Sequence, residues 1–227
     1  RHDGAVSWDA ATYEQVNQPH ELWAREIIAR AAIQHGEVVL DAGCGGGSVT
    51  QQLLELTPNV IAVDGDAGMV EQARATLPES VPVYHQDLLD LELEERVDVV
   101  FSCAVFHWIT DHDRLFERLR AVLRPGGRVV AQCGGKDNIA HVLAIVGERP
   151  GSWLYAGAEE TEERLRAAGF TKVRAWLEPK PTRVPDMETF MATVILHGQP
   201  NARETAARVA PQLEEIDYVR LNIEATA

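Results

Sequence analysis

The chain has 227 residues, of which 45% are hydrophobic and 25% charged, so it can form one sizeable buried core and is neither disordered nor collagen-like. Its 21 Lys and Arg residues against 35 Asp and Glu residues give a net charge of -14. This balance disfavours nucleic acid and anionic membrane surfaces as partners.

The three cysteines form no CxxC pair, so the sequence predicts neither a disulfide framework nor a zinc knuckle, and it implies no metal. No apolar run reaches the roughly 18 residues of a membrane helix, and the first residues do not resemble a signal segment. We therefore expect a cytoplasmic protein with no membrane partner. The sequence does not define its oligomeric state.

Short Val-rich runs alternate with helix-like stretches from Val38 onward, which is the pattern of parallel strands joined by crossover helices. Asp66 and Asp111 precede two of these helices at positions typical of N-caps. The predicted strands occupy 38–40, 60–63, 81–85, 97–102 and 128–132, with a final pair at 173–177 and 182–184.

The predicted fold class is α/β: a Rossmann-like, doubly wound, mostly parallel sheet with an N-terminal helical lid and a C-terminal helical cap. We divide this single domain into a lid over 1–35, a cofactor-binding core over 36–184 and a cap over 185–227.

A glycine-rich loop follows the first predicted strand. In an open parallel sheet, ligands bind outside the carboxyl ends of the strands, so residues that follow a strand are site candidates. The loop reads Asp41-Ala42-Gly43-Cys44-Gly45-Gly46-Gly47 and lets a ligand approach the backbone closely. Ser48 stands where a dinucleotide-binding fingerprint has its last glycine, so the glycines alone leave a dinucleotide site open.

Three acidic residues follow three successive predicted strands. Asp41 precedes the glycines, where a carboxylate would repel a pyrophosphate and attract an ammonium or a sulfonium group. Asp64 lies about 20 residues after Gly43, the separation at which an acidic side chain binds a ribose diol. Asp87 can accept a hydrogen bond from an exocyclic amine such as that of adenine. A cationic nucleoside cofactor therefore fits better than a dinucleotide.

In order and spacing, these motifs resemble those of class I S-adenosylmethionine-dependent methyltransferases. The resemblance rests on Val38 to Gly47, Val63-Asp64, Gln86-Asp87-Leu88 and Leu123 to Gly127, and it covers roughly residues 35 to 135. It implies that S-adenosylmethionine is the cofactor. The cofactor-binding residues that it implies are Asp41, Gly43, Gly45, Gly47, Asp64, Gly65, Met69, Asp87, Leu88 and Ser102.

Other segments resemble the trans-aconitate methyltransferase group of small-molecule carboxyl methyltransferases. They are Trp8-Asp9 with Tyr13 and the run from Ser102 to Trp108, in which Cys103 stands where that group usually has asparagine. The early aromatic residues either form the apolar face of a helix or close over a sulfonium by cation-π attraction. The predicted acceptor-binding residues are Trp8, Tyr13, Trp23, His107 and Trp108.

The expected reaction moves the sulfonium methyl group to an oxygen of a small organic molecule, with a carboxylate as the expected acceptor. A carboxylate needs no base at neutral pH; a phenol or an amine does, and His107 is then the predicted catalytic base. Arg149 and Arg183 are candidate partners for an anionic acceptor.

Several other functions stay open on the sequence. They are a cofactor-binding regulatory protein without transfer activity, methylation of a carrier protein, and an NAD-dependent oxidoreductase, for which the chain lacks a Tyr-x-x-x-Lys pair.

Overall fold

A computed structural model describes residues 18–147 and 153–227. Its strands are β1 (Val39–Ala42), β2 (Val60–Asp64), β3 (Val83–His85), β4 (Val97–Cys103), β5 (Leu123–Gly134), β6 (Thr171–Pro179) and β7 (Val219–Thr226). They form one sheet in the order β3-β2-β1-β4-β5-β7-β6. The first five strands are parallel, and β7 runs antiparallel to both β5 and β6.

Helices connect and flank these strands. They are α1 (Gln18–Ala31), α2 (Ser48–Leu54), α3 (Ala67–Thr76), α4 (His112–Val122), α5 (Ala140–Val146), α6 (Ala158–Ala167), α7 (Met187–Phe190) and α8 (Ala202–Val209). A π-helical turn, Met191–Ile195, continues α7, and a 3-10 turn, Ala210–Gln212, continues α8. Across the described ranges, no helix combines the length and apolarity needed to cross a membrane.

The central strand β4 is buried on both faces, as its apolar sequence predicts. Val99 and Phe101 pack with Ile27 of α1 on one face, and Val100 packs with Leu115 of α4 on the other. Helices therefore cover both sides of the sheet, and the predicted doubly wound architecture is confirmed. The helix within the predicted lid segment, α1, is itself a packed layer of the fold.

Two aspartates cap helices as predicted. The side chain of Asp66 accepts a hydrogen bond from the N–H of Met69 across 2.9 Å, and that of Asp111 accepts one from the N–H of Arg114 across 3.0 Å. Each carboxylate caps the N-terminus of the helix that follows it, and this role explains both positions without a ligand.

The C-terminal segment differs from its prediction. Residues 187–212 are largely helical, as expected for a cap, but Val219–Thr226 forms the strand β7 inside the sheet. The predicted partner strand at 182–184 is reduced to one bridge between Thr182 and Ile216, and β6 pairs with β7 instead. Both faces of β7 are buried, although its sequence contains the polar residues Arg220 and Asn222. A search for apolar runs therefore does not detect this strand.

Candidate active site

The glycine loop lies at the carboxyl edge of the parallel strands. Gly43 has φ +85°, and its N–H donates to the carbonyl of Val63 across 2.8 Å. A Cβ at Gly43 would lie 2.2 Å from a methyl carbon of Val105, so the position admits only glycine. At Gly45 an added Cβ would meet nothing within 4 Å, and Gly47 caps α2. The loop thus keeps open space beside Gly45.

Asp41 is part of β1 and is 1% exposed. Its carboxylate accepts a hydrogen bond from Oγ1 of Thr50 across 2.7 Å. Burial, with a smaller contribution from the charge of Asp64, raises the pKa of Asp41 to about 7. The sequence analysis expected this carboxylate to face the ligand side of the loop. In the structure it is instead buried and hydrogen-bonded to Thr50 of α2.

Asp64 ends β2 and holds two loops together. One carboxylate oxygen accepts from the N–H of Gly45 across 2.8 Å, and the other accepts from the N–H of Asp66 across 2.9 Å. Burial raises its pKa. In the described part of the chain, no basic side chain pairs with Asp64 or Asp41. Two uncompensated carboxyl groups under an open glycine loop fit a cationic cofactor and oppose a pyrophosphate.

The neighbouring strand ends hold the other predicted cofactor residues. Exposed Gly65 follows Asp64, with its carbonyl oxygen 3.0 Å from Nε2 of His85. Asp87 is exposed and accepts a hydrogen bond from a backbone N–H of the next turn. Leu88 and Met69 are 4% and 5% exposed, so both side chains are buried near this edge of the sheet.

His107 and Trp108 lie in a 3-10 turn, Phe106–Trp108, that begins three residues after the end of β4. Before this turn, the buried hydroxyl of Ser102 donates to the carbonyl of Ala42 across 2.7 Å, which ties β4 to the end of β1. Nδ1 of His107 accepts a hydrogen bond from the N–H of Gly134 across 3.3 Å, and its ring lies 5.1 Å from that of Trp108. The side chain is therefore fixed between two strand ends.

The hydrogen bond at Nδ1 bears on the predicted role of His107 as a base. A ring nitrogen that accepts an N–H bond holds the lone pair, so the neutral imidazole carries its proton on Nε2. The basic nitrogen is thereby occupied by the backbone of β5. This geometry disfavours proton abstraction by His107 and favours a side chain that positions a ligand.

A small pocket lies beside His107, and we call it the acceptor pocket for the role proposed for it below. Its aromatic walls come from Trp108, Trp153, Tyr155 and Tyr218. Its aliphatic walls come from Ile139, Val194 and Ile195, and its other lining residues are His107, Asn138 and Arg220. A largely apolar pocket with a few polar groups is typical of a small-molecule site.

Unusual backbone conformations occur at the acceptor pocket. Ile139 has φ +52°, which a β-branched residue rarely adopts, and Val194 and Ile195 belong to the π-helical turn. Such features persist mainly at functional sites, because packing elsewhere must offset their strain.

Arg220 is the important residue that the sequence analysis missed. It is 1% exposed, and its guanidinium lies over the rings of Trp23 at 4.8 Å and Tyr218 at 5.7 Å. Nε donates to Oε1 of Gln132 across 3.4 Å, whereas Nη2 is buried without a hydrogen-bond partner. The alternation of apolar and polar residues over 219–226 could have predicted a strand there.

The structure places the other residues that were predicted to bind the acceptor at different distances from the pocket. Trp23 contacts Arg220 and Tyr218, so it supports the pocket from behind. Trp8, Tyr13 and Arg149 lie outside the described residues. The Arg183 side chain is 76% exposed and lies 3.6 Å from Glu214, so it does not reach the pocket.

Comparison with known proteins identifies the family. Residues 40–131 match the model of a methyltransferase domain. The trans-aconitate 2-methyltransferase of Rhizobium etli is 32% identical over 184 residues, which cover 79% of this chain and 71% of that protein.

Solved structures share the fold. The YcgJ protein from Bacillus subtilis has a TM-score of 0.71 at 16% identity, covering 91% of this chain and 98% of that one. Phosphoethanolamine N-methyltransferase 2 of Haemonchus contortus, solved with S-adenosylhomocysteine, has a TM-score of 0.65 at 21% identity, covering 90% of this chain and 52% of that one. The chain therefore belongs to the class I S-adenosylmethionine-dependent methyltransferases, in the group of the trans-aconitate 2-methyltransferases, and S-adenosylmethionine is its cofactor.

Proposed function

We propose that the protein methylates a carboxylate oxygen of a small organic acid. The observation that carries this proposal is Arg220, a buried guanidinium that lines the acceptor pocket and has no acidic partner in the described residues. A buried cation without an anion is unfavourable, so the pocket favours an acceptor that brings the negative charge. The named activity of the Rhizobium etli relative, on trans-aconitate, is consistent with an anionic acceptor.

The cofactor would lie over the glycine loop. There, the carboxyl groups of Asp41 and Asp64 would attract its positive charges, and the open space beside Gly45 would admit it to the backbone. Asp64 and exposed Asp87 are the proposed hydrogen-bond acceptors for its ribose and its adenine amine. Met69 and Leu88 would provide apolar contacts.

When bound, S-adenosylmethionine would supply a methyl group on cationic sulfur. Transfer to an acceptor oxygen would form a C–O bond and break the S–CH₃ bond, whose electron pair would stay on sulfur. The products would be a neutral ester and S-adenosylhomocysteine. The protein's own contribution is alignment and exclusion of water. Arg220 would hold the acid, and the aromatic walls would keep water away from it.

His107 has a positioning role in this proposal. A carboxylate is already ionised at neutral pH, so no proton has to be removed before transfer. This requirement agrees with an imidazole whose Nδ1 is occupied by the N–H of Gly134. His107 and Trp108 would form the wall next to the transferred methyl group.

Transfer of a radiolabelled methyl group from S-adenosylmethionine to a panel of small organic acids tests the proposal. The expected product is a base-labile methyl ester. Binding of S-adenosylhomocysteine without transfer to any acid would favour the regulatory alternative. Stabilisation by NADH instead of S-adenosylhomocysteine in a thermal-shift assay would overturn the placement of the cofactor.

The variant Asp64→Ala provides a check on the cofactor site. Loss of its hydrogen bonds should weaken S-adenosylhomocysteine binding by about 1–3 kcal/mol. Asp111→Ala, which removes a helix cap outside this site, is the matched control and should leave that affinity unchanged. Equal affinities in the Asp64→Ala variant and the wild type would remove Asp64 from the site.

A further inference from the structure

We propose that His112 is a positioning residue that fixes the turn Phe106–Trp108 between the glycine loop and the acceptor pocket, and so aligns the methyl donor with the acceptor. This inference rests on the proposed function, which places the cofactor at the glycine loop and the acceptor in the pocket. It gives a role to a buried histidine that takes no part in the transfer itself.

The turn contacts both halves of the site. Val105, directly before it, packs on the glycine loop, where its methyl carbon lies 2.2 Å from the position of a Cβ that Gly43 lacks. His107 and Trp108 line the acceptor pocket on the other side. The carbonyl of His107 also accepts a hydrogen bond from the N–H of Leu154 across 2.9 Å, in a segment that supplies two more walls of that pocket. A displaced turn would therefore change how the cofactor and acceptor sites face each other.

His112, the first residue of α4, holds this turn through a hydrogen bond. Its side chain is 2% exposed, and Nε2 lies 2.9 Å from the carbonyl oxygen of Phe106. A carbonyl oxygen can only accept, so Nε2 carries the proton and donates it. The same oxygen accepts from the N–H of Ile109 across 3.0 Å. The rings of His112 and Phe106 both pack against Phe116, at 5.5 Å and 6.3 Å.

The second ring nitrogen of His112 shows that a stable core does not require a histidine here. With the proton on Nε2, Nδ1 carries a lone pair, and among the residues that the structure describes it is buried without a hydrogen-bond partner. An unpaired buried acceptor destabilises a fold, and an apolar side chain of similar size would avoid it. Burial is the largest influence on the pKa of His112 and lowers it, so the ring is neutral at neutral pH. The donor at Nε2 therefore accounts for this residue better than stability does.

Neither the helix nor the cofactor loop depends on His112. The start of α4 is capped by Asp111, whose side chain accepts from the N–H of Arg114 across 3.0 Å. The glycine loop is held from β2, because Asp64 accepts from the N–H of Gly45 across 2.8 Å. Loss of the His112 donor should thus leave the fold and cofactor binding in place and affect the turn.

Two substitutions of His112 separate its donor from its volume. His112→Leu removes both ring nitrogens, so the lost bond to Phe106 is offset by the loss of the unpaired Nδ1, and the thermal midpoint should stay close to that of the wild type. His112→Gln carries an amide N–H as many bonds from Cα as Nε2 and can restore the bond to Phe106. The conservative variant therefore tests for rescue.

Transfer kinetics from S-adenosylmethionine to trans-aconitate and the other acids of the panel give the first measurement. For His112→Leu, kcat is expected to fall about ten-fold, because small misplacements of the reacting groups slow transfer strongly. KM for the acid and the affinity for S-adenosylhomocysteine should change less than about three-fold. His112→Gln should recover most of kcat.

Thr57→Val is the matched control. Thr57 is 1% exposed and its Oγ1 donates to the carbonyl of Glu37 across 2.8 Å, so it makes the same kind of buried side-chain bond. Both residues precede strands, Glu37 before β1 and Thr57 before β2, and so lie at the end of the sheet opposite the site. This variant should lower the thermal midpoint and keep kcat.

Amide hydrogen exchange measures the turn without an acceptor. The N–H of Trp108 donates to the carbonyl of Val105 across 2.9 Å, and that of Ile109 donates to Phe106. Both amides should exchange about ten-fold faster in His112→Leu. His112→Gln and Thr57→Val should keep the wild-type rates at these two amides.

Wild-type kcat, or wild-type exchange at the two amides, in His112→Leu would overturn the inference. Equal losses of kcat in His112→Leu and His112→Gln would also overturn it, since a donor would then not be what matters. Should His112→Leu not fold, His112→Asn replaces it, because its amide N–H is one bond too short to reach Phe106. A wild type that binds S-adenosylhomocysteine and methylates no acid would reject the proposed function, whereas the exchange rates would still decide whether His112 fixes the turn.

Discussion

The backbone N–H of Gly134 donates a hydrogen bond to Nδ1 of His107 across 3.3 Å, and Gly134 is also the residue of β5 that pairs with Arg220 of β7. One strand end thus holds both the histidine after β4 and the buried arginine. Both side chains line the acceptor pocket.

This relationship predicts the behaviour of His107→Gln. A positioning residue contributes contacts and not proton transfer, so kcat/KM for an acid should fall about ten-fold and by the same factor from about pH 6 to 9. Steady-state kinetics across that range provide the measurement. A deficit that grows as pH rises would show that His107 is a base after all, because only the neutral imidazole can accept a proton.

The buried carboxyl of Asp41 predicts how stability depends on pH. Burial raises its pKa to about 7, so the cofactor-free folded protein retains a proton that the unfolded chain releases near pH 4. The stability that this proton provides is complete below about pH 4 and is lost as pH rises through about 7. Asp41→Asn should flatten this part of the profile in denaturant titrations from about pH 4 to 8. Asp111→Asn, a surface-cap control, should keep the wild-type slope.

Cofactor binding should release protons near neutral pH. A cation placed over Asp41 and Asp64 favours their ionised forms and so lowers the pKa values that burial raises. S-adenosylhomocysteine carries an ammonium group, so its titration at about pH 7 in buffers of different ionisation enthalpy should reveal a net release. Asp41→Asn should reduce the released amount. Proton uptake in the wild type would contradict the proposed placement of positive charge.

Alanine substitutions at two glycines of the same loop should affect stability and cofactor affinity differently. Gly43→Ala puts a Cβ 2.2 Å from Val105 at φ +85°, which should destabilise the protein by about 2–4 kcal/mol. Gly45→Ala meets no atom within 4 Å, so it should cost about 1 kcal/mol of stability for its φ of +53°. Its main effect should be on affinity for S-adenosylhomocysteine, since the added methyl occupies the open space beside the loop. Thermal unfolding and calorimetry separate the two effects, and a Gly45→Ala variant with wild-type affinity would place the cofactor elsewhere.

The sequence predicted the cofactor half of the molecule better than the acceptor half. Buried parallel strands such as β1, β2 and β4 are short Val-rich runs, and the residues that follow parallel strands meet at one edge of the sheet. The orientation of Asp41 was missed because one residue of strand length decides whether a side chain lies above or below the loop.

The strand β7 was missed for a different reason. Its partner β5 lies about 90 residues earlier, and the polar Arg220, Asn222 and Glu224 that alternate along β7 suggest an exposed face. That face is covered by α1, whose Arg30 donates to Oδ1 of Asn222 across 2.7 Å. Sequence periodicity cannot distinguish a solvated polar face from one that a distant helix covers.

Gln132 connects Arg220 to this covered face. Its Oε1 accepts from Nε of Arg220 at 3.4 Å, and its Nε2 donates to Oδ1 of Asn222 at 2.7 Å. Gln132→Met keeps the volume but removes both bonds, so it should destabilise the fold by about 1–3 kcal/mol and leave Arg220 less well oriented.

The kinetic signature of Gln132→Met should separate orientation from stability. If Gln132 positions Arg220, the KM of Gln132→Met for the acid should rise about five-fold with kcat nearly unchanged. Gln132→Glu should not restore the wild-type KM, because the introduced carboxylate would neutralise Arg220 and compete with the substrate. Thr161→Val, which removes a buried hydroxyl that donates to the carbonyl of Gly157 across 2.7 Å away from the pocket, should lower stability without raising KM. A Gln132→Met variant with wild-type KM would show that the aromatic rings of Trp23 and Tyr218 suffice to hold the guanidinium in place.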